Sequence, residues 1–226
     1  MTDESHARTP ESHTGAVSAP LCASAIFGRG LPAAERYAGW LADAGIVRGL
    51  LGPREAERIW DRHLINSALL AELVPHGARV VDLGSGAGLP GIPLALARPD
   101  LTVTLVEPLL RRATFLDEVV SDLGGLDPSL ASRLEVVRSR AEDLPKGRTF
   151  DIVASRALAP LDRLLKWSMP RVAPGGMVLA IKGSSAQQEV ESAAGDLRQR
   201  KLSASLAEVD SEAGSITVII IKRQKP

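Results

Sequence analysis

The residues best placed to do chemistry are two carboxylates and the glycines between them. Asp82 precedes Gly84-Ser85-Gly86-Ala87-Gly88-Leu89-Pro90-Gly91, and Glu107 closes the next apolar run, Thr102 to Val106. Four glycines within eight residues admit backbone conformations that a Cβ forbids, and they let a ligand lie against the main chain. Such a loop cradles a nucleotide. The spacing Gly86-x-Gly88-x-x-Gly91 matches the dinucleotide fingerprint, but an acid two residues before the first glycine would repel a pyrophosphate. The same carboxylate suits the cationic methionine end of S-adenosylmethionine. Glu107, at the end of the second strand, is placed to take both hydroxyls of an unphosphorylated ribose. The two acids therefore favour S-adenosylmethionine over a nicotinamide dinucleotide, with Asp82, Gly84, Gly86, Leu89 and Glu107 as the expected contacts.

To hold these groups, a strand must turn sharply into a helix. Ala78 to Leu83 is short, apolar and β-branched, without the 3.6-residue period of an amphipathic helix, and reads as a buried central strand. Pro90 and Pro93 suit the first turn of the helix that follows, Gly91 to Ala97. Downstream, strands and helices alternate as in a parallel sheet covered on both faces. A strand at 102–107 leads to a helix at 109–123, and a third strand at 134–138 leads to Ala141-Glu142-Asp143. The fourth, at 150–155, runs into Arg156 and a helix at 161–172; the fifth, at 176–181, ends at Lys182 before a polar helix at 185–200. The last two strands, 203–209 and 215–221, are separated by a turn too short for a crossover helix, so they must be antiparallel. The expected fold is α/β, a seven-stranded, mostly parallel sheet with a C-terminal antiparallel hairpin and N-terminal helices.

At 226 residues the chain can bury one good-sized core with some extras. The expected division is a disordered tail over 1–20, a helical extension over 21–76 and a cofactor-binding domain over 77–226. No apolar run reaches membrane-spanning length and the N-terminus lacks the apolar core of a secretory signal, so a cytoplasmic protein is expected. Cys22 is the only cysteine, which excludes an internal disulfide and a cysteine-cluster metal site; no metal is expected. With 27 basic and 27 acidic residues, total charge does not announce nucleic acid. Twenty-one of the basic residues are Arg, which suits bidentate phosphate and guanine contacts but is also what a GC-rich genome encodes.

Upstream of the glycine loop, a helical pattern from Leu31 to Gly45 carries Tyr37, Trp40 and Leu41, and a longer one spans Arg54 to Val74. Arg54, Arg58 and Arg62 recur every four residues on one side of the second. Glu55, Glu57 and Asp61 alternate with them, so the stripe is either an ion-paired, solvated face or a contact for RNA phosphates. His63 and Asn66 follow; a histidine in such a place is more often structural than catalytic.

Four segments together carry a resemblance: Arg62-His63-Leu64-Ile65-Asn66-Ser67, the stretch from Asp82 to Ala95, Ser139-Arg140-Ala141-Glu142 and Ser155-Arg156-Ala157. With the sheet described, they resemble the RsmG family, also called glucose-inhibited division protein B, within the Rossmann-like class I methyltransferases. The resemblance runs from about Arg54 to Ile221. It departs at Asn66, where the family usually has Asp, and at Val47 to Leu51, which replaces an Asn-Leu-Thr segment. It implies a methyltransferase that uses S-adenosylmethionine to modify N7 of one guanine in the 530 loop of 16S ribosomal RNA. By resemblance, Gly84, Leu89, Ala141, Glu142 and Arg156 match cofactor-binding positions, with Ala141 and Glu142 at the adenine. RNA contacts are expected at Arg58, Arg62, His63 and Lys182, and a monomer acting on the small subunit or a precursor is implied.

Guanine N7 already exposes a lone pair, so in-line transfer from a sulfonium needs alignment rather than a general base. The sequence agrees: it lacks the Asn/Asp-Pro-Pro-aromatic tetrapeptide of exocyclic-amine methyltransferases, and Cys22 lies outside the α/β core. Arg156 is ill suited to stabilise a purine acquiring positive charge. A grip on guanine O6, a phosphate or the cofactor carboxylate is its expected role, with N7 left free. Three other readings remain open on the residues alone: a methyltransferase of the same fold for a small molecule or protein, a nonenzymatic nucleotide-binding regulator, and an NAD-dependent oxidoreductase.

Overall fold

The computed structural model describes residues 17–212 and 214–224. Among the described residues seven strands form one sheet: β1 (Arg79–Leu83), β2 (Thr102–Val106), β3 (Leu134–Val137), β4 (Phe150–Arg156), β5 (Val172–Lys182), β6 (Leu202–Ser211) and β7 (Gly214–Arg223). Their spatial order is β3-β2-β1-β4-β5-β7-β6, and β7 alone runs against its neighbours β5 and β6. Helices lie on both faces, which is why β1 and β2 read as continuous apolar runs: four of five residues in each are buried. β1 sits at the centre, with Val80 beside Val103 on one side and Ile152 on the other. Strand order reverses between β1 and β4, and in open sheets of this kind ligands bind in the crevice beyond the strand ends at that point. Among the described residues no helix is long and apolar enough to cross a membrane.

Several boundaries differ from the sequence reading. The helix after β2 runs through Gly124 and Gly125 to Leu126, and a short helix Pro128–Arg133 follows, capped by Asp127, whose Oδ1 accepts from Ser129 N at 2.9 Å. The glycine pair looks like a stop signal, yet Gly124 is there for close packing. A Cβ on it would lie 3.1 Å from that of Ala131 in the next helix. The polar stretch after β5 is two helices, Ala186–Ser192 and Ala194–Gln199. β5 begins at Val172, before Gly175-Gly176, with a register shift against β4 between Phe150 and Ile152.

The expected long helix from Arg54 to Val74 is a succession of different turns: 3-10 over Pro53–Arg58, π over Ile59–Ile65, α over Asn66–Ala68 and 3-10 over Leu69–Leu73. Trp60, His63, Leu64 and Ile65 are all buried, more than one regular helical stripe can bury. π turns are uncommon and concentrate at functional sites; this one holds Arg62 and His63. The helix Leu31–Trp40 packs on the helix after β2, where Asp122 accepts from Arg36 Nε and Trp40 Nε1, each at 2.7 Å. Of the expected tail, residues 1–16 lie outside the described residues. Val17 accepts a hydrogen bond from Trp60 Nε1 at 2.8 Å.

Candidate active site

The loop after β1 is held from beneath by its own acid. Asp82 is fully buried; its Oδ2 accepts from Ser85 Oγ at 2.6 Å and from Gly91 N at 2.9 Å. Its Oδ1 is buried with no partner among the described residues. Burial pushes Asp82 up to about 6, opposed by its bonds to Ser85 and Gly91, with Glu107 raising it and Arg156 lowering it further. A Cβ at Gly91 would fall 2.9 Å from Asp82 Oδ2, so a glycine is required where the helix passes the acid.

Glu107 pins the loop from the other side. It is 2% exposed; Oε2 accepts from Gly86 N and Oε1 from Leu109 N, both at 3.0 Å. Gly84 N and Ser85 N both donate to Val106 O, so the loop is tied to the end of β2 at three amides. Tyr37, from the helix Leu31–Trp40, closes the far side by donating to Ala87 O at 2.8 Å. Its phenol is pushed well above its ordinary range by burial and by the charge of Asp82.

Beside this loop lies a cleft of about 270 Å³ between the ends of β1, β2 and β3. Gly84, Ala141 and Glu142 line it as the sequence led one to expect; Pro108, Leu158 and Trp167 also form its walls. Trp167 lies on the helix Leu161–Ser168 after β4 and carried no local signal in the sequence. Asp82, Gly86 and Glu107 are not wall residues but shape the loop, and Leu89 packs into the core behind it. Gly84 stands at φ +68°, and a Cβ there would overlap Cδ1 of Leu158. Gly84→Ala is therefore expected to cost about 1–2 kcal/mol in backbone strain, and to crowd the cleft. Thermal melting and cofactor titration would show it as a lower Tm together with weaker binding; unchanged binding would mean that Leu158 yields freely.

A second cleft, of about 1030 Å³, opens on the other side of Leu158. Arg62, Asn66, Arg156, Lys182 and Thr217 are among its walls. Arg156 ends β4, and its guanidinium is fixed twice, NH2 to Nδ1 of His63 at 3.0 Å and NH1 to Ser67 Oγ at 3.2 Å. The other ring nitrogen of His63, Nε2, bonds Glu55 Oε2 at 2.8 Å, and Glu55 also meets Arg62 at 3.3 Å. Burial and then the Arg156 charge push His63 below its ordinary value, against the pull of Glu55. Arg156 itself is lowered by burial and by Arg62. Lys182 is bound to Ala159 O and to Glu189, each at 2.7 Å, so its charge is neutralised within the fold. Arg58 is exposed, one turn from Arg62. The structure thus brings Arg62, His63, Arg156 and Lys182 to one cleft region and leaves Arg58 on the outer face.

A β3-β2-β1-β4-β5-β7-β6 sheet with an acid-tethered glycine loop after β1 is the fold of the class I methyltransferases. The B. subtilis tRNA methyltransferase TrmK has a related fold, with a TM-score of 0.55 at 15% identity over 71% of this chain and 66% of that one. Sequence comparison is more specific. Residues 31–212 match the rRNA small subunit methyltransferase G family. The chain is 57% identical to the ribosomal RNA small subunit methyltransferase G of Nocardioides sp. over 87% of its length and 74% of that relative. It is 56% identical to the protein of that name from Mycobacterium leprae strain TN, over 82% and 71%. This chain belongs to the rRNA small subunit methyltransferase G family.

Proposed function

We propose that this chain transfers the methyl group of S-adenosylmethionine to N7 of a single guanine in the 530 loop of 16S ribosomal RNA, as a cytoplasmic monomer acting on the small subunit or its precursor. The observation that carries the reading is the pair of clefts on either side of Leu158, one framed by the glycine loop and the other by Arg156. Their residues fit the donor. The Oδ1 of buried Asp82, without a hydrogen-bond partner among the described residues, leaves negative charge behind the loop to balance a cation, Gly84 is a cradle that a Cβ would fill, and the apolar walls around Trp167 suit an adenine. The bound donor supplies an electrophilic methyl group on a sulfonium.

Within that frame Asp82 balances the donor's cationic end from beneath the loop. Glu107 keeps lone pairs for ribose hydroxyls beyond the two amide bonds it already accepts. Ala141 and Glu142 face the adenine end, and Gly84, Gly86 and Leu89 fix the loop's path. Arg156 grips guanine at O6, a phosphate or the carboxylate of the donor, leaving N7 free for in-line attack. A base is unnecessary because N7 carries no proton, and Cys22 lines neither cleft.

The RNA would cross the mouth of both clefts. Arg58 and Arg62 stand on one side; His63 acts from beneath, and Lys182, held by Glu189, stiffens the wall. Arg111, Arg138, Arg140 and Arg163 follow strand ends on the other side, exposed and without a carboxylate partner among the described residues. Labelled S-adenosylmethionine is expected to deliver about one methyl group per small subunit and none to large subunits. Arg58→Gln with Arg62→Gln, or Arg111→Gln with Arg138→Gln, should raise KM for subunits and flatten the salt dependence by about one unit of slope per lost phosphate contact, leaving cofactor affinity unchanged. A KM indifferent to salt and to these arginines would point to a small-molecule or protein substrate instead.

A further inference from the structure

We propose that His63 is a positioning residue for Arg156, held by Glu55 so that its Nδ1 accepts from the guanidinium and presents the arginine to the second cleft in one orientation. The inference rests on the reading of Arg156 as a substrate-contacting group. Its starting point is the chain of bonds from Glu55 through His63 to Arg156 and Ser67.

A guanidinium only donates hydrogen bonds, so the Nδ1 that meets Arg156 at 3.0 Å must carry a lone pair. The single ring proton is then on Nε2, where it donates to Glu55 Oε2 at 2.8 Å. One tautomer satisfies both partners; the other satisfies neither. Glu55 is the group that selects it. Its carboxyl is held below its ordinary value because the bonds and charges of His63, Arg62 and Arg58 outweigh the upward effect of burial, so it stays an acceptor. His63 is 5% exposed and Ser67 is fully buried, which gives the anchor a fixed surface. An arginine side chain has several rotatable bonds, and an anchor at two of its nitrogens removes most of that freedom before substrate arrives.

The charged groups around the imidazole all favour the neutral ring or oppose it in a defined way. Arg156 on β4 and Arg62 on the same turn disfavour the doubly protonated ring, and Glu55 favours it. Ser67 is neutral. Asp82 and Tyr37, from β1 and the helix Leu31–Trp40, act on Arg156 rather than on the ring. Protonating His63 would replace an acceptor with a second cation facing the guanidinium, so acid should release Arg156 from its anchor.

Two isosteric substitutions separate positioning from mere support. His63→Asn sets an amide oxygen near the place of Nδ1 and keeps the acceptor for Arg156; His63→Gln sets an amide nitrogen near the place of Nε2 and keeps only the donor to Glu55. With the full chain, S-adenosylmethionine and small ribosomal subunits, His63→Asn should stay within about threefold of wild type. His63→Gln should fall about tenfold to a hundredfold in kcat/KM, with cofactor Kd and Tm alike in the two. Below pH 6.5 the wild-type rate should fall with contributions from His63 and Asp82, and His63→Asn should lose one proton from that dependence. Equal losses in the two variants, or no loss in either, would overturn the proposal. Nitrogen resonances of the His63 ring in the protein without RNA give an independent readout. Nε2–H with a bare Nδ1 at pH 7 is expected, and an Nδ1–H or doubly protonated ring would refute it. Should wild type transfer no methyl group, the RNA reading fails while the ring resonances still decide the role of His63.

Discussion

Glu107→Ala is expected to weaken binding of S-adenosylmethionine by about a hundredfold or more. The side chain is 2% exposed, and its two oxygens already hold Gly86 N and Leu109 N. A carboxylate that also accepts from ribose hydroxyls makes charge-assisted hydrogen bonds worth about 1.5–3 kcal/mol each. Losing two of them, at about 1.4 kcal/mol per factor of ten, gives the stated range. The truncation also leaves the Gly86 and Leu109 amides unpaired, so the loop itself loosens. Glu107→Gln keeps one acceptor and should fall between wild type and the alanine variant. Calorimetric titration of the three proteins with the cofactor tests the order. Equal affinities would mean that the carboxylate serves only the loop.

Asp82→Asn is expected to split stability from function. The folded protein holds Asp82 at about 6, against an ordinary value of 3.8, chiefly because burial disfavours the carboxylate. Between those values the folded state keeps a proton that the unfolded chain releases. The stability this confers is full below 3.8 and is lost as pH rises through 6. At pH 7.5 the ionised group therefore burdens the cofactor-free protein by about 3 kcal/mol relative to its neutral form, from about 1.36 kcal/mol per unit. Asparagine removes that charge. Its amide can still accept from Gly91 N, so a gain in Tm at pH 7.5 and none at pH 4 is expected. Cofactor affinity should move the other way. In wild type it should rise as pH increases through 6 and Asp82 ionises; in Asp82→Asn it should be weaker by about tenfold or more and flat across that range. Melting and binding curves at several pH values would reveal either pattern, and a variant that gains stability without losing affinity would remove Asp82 from the cofactor site.

The separation of these two acids explains how much of the site was readable in advance. Asp82, Gly84, Gly91 and Glu107 follow from local rules, because a strand end, a glycine that needs positive φ and an acid under a loop all leave their marks within a few residues. The closing hairpin follows from the same rules, since its short turn forces antiparallel pairing; the spatial order of the strands, with β7 between β5 and β6, does not. What completes the site does not. Tyr37 reaches Ala87 O from 50 residues away, and His63 meets Arg156 across 93. Trp167 has no spacing that distinguishes a cleft wall from a core aromatic. Lys182 looks like a free cation at a strand end, and only the fold returns Glu189 to it. The Arg54 to Val74 stretch misled for a different reason: its apolar residues satisfy a helical period on average, and that average does not register the changes of turn type along its length.

The most direct measurement is a map of methylation at nucleotide resolution. Small ribosomal subunits from cells lacking this gene would be treated with the protein and S-adenosylmethionine, and the 16S RNA then cleaved chemically at N7-methylguanine. One new cleavage in the 530 loop, absent with Glu107→Ala and with Arg156→Ala, is the expected result. Methyl incorporation at another atom or another loop, or none at all from a protein that binds the cofactor, would contradict the assignment of guanine N7 to the cleft beside Arg156.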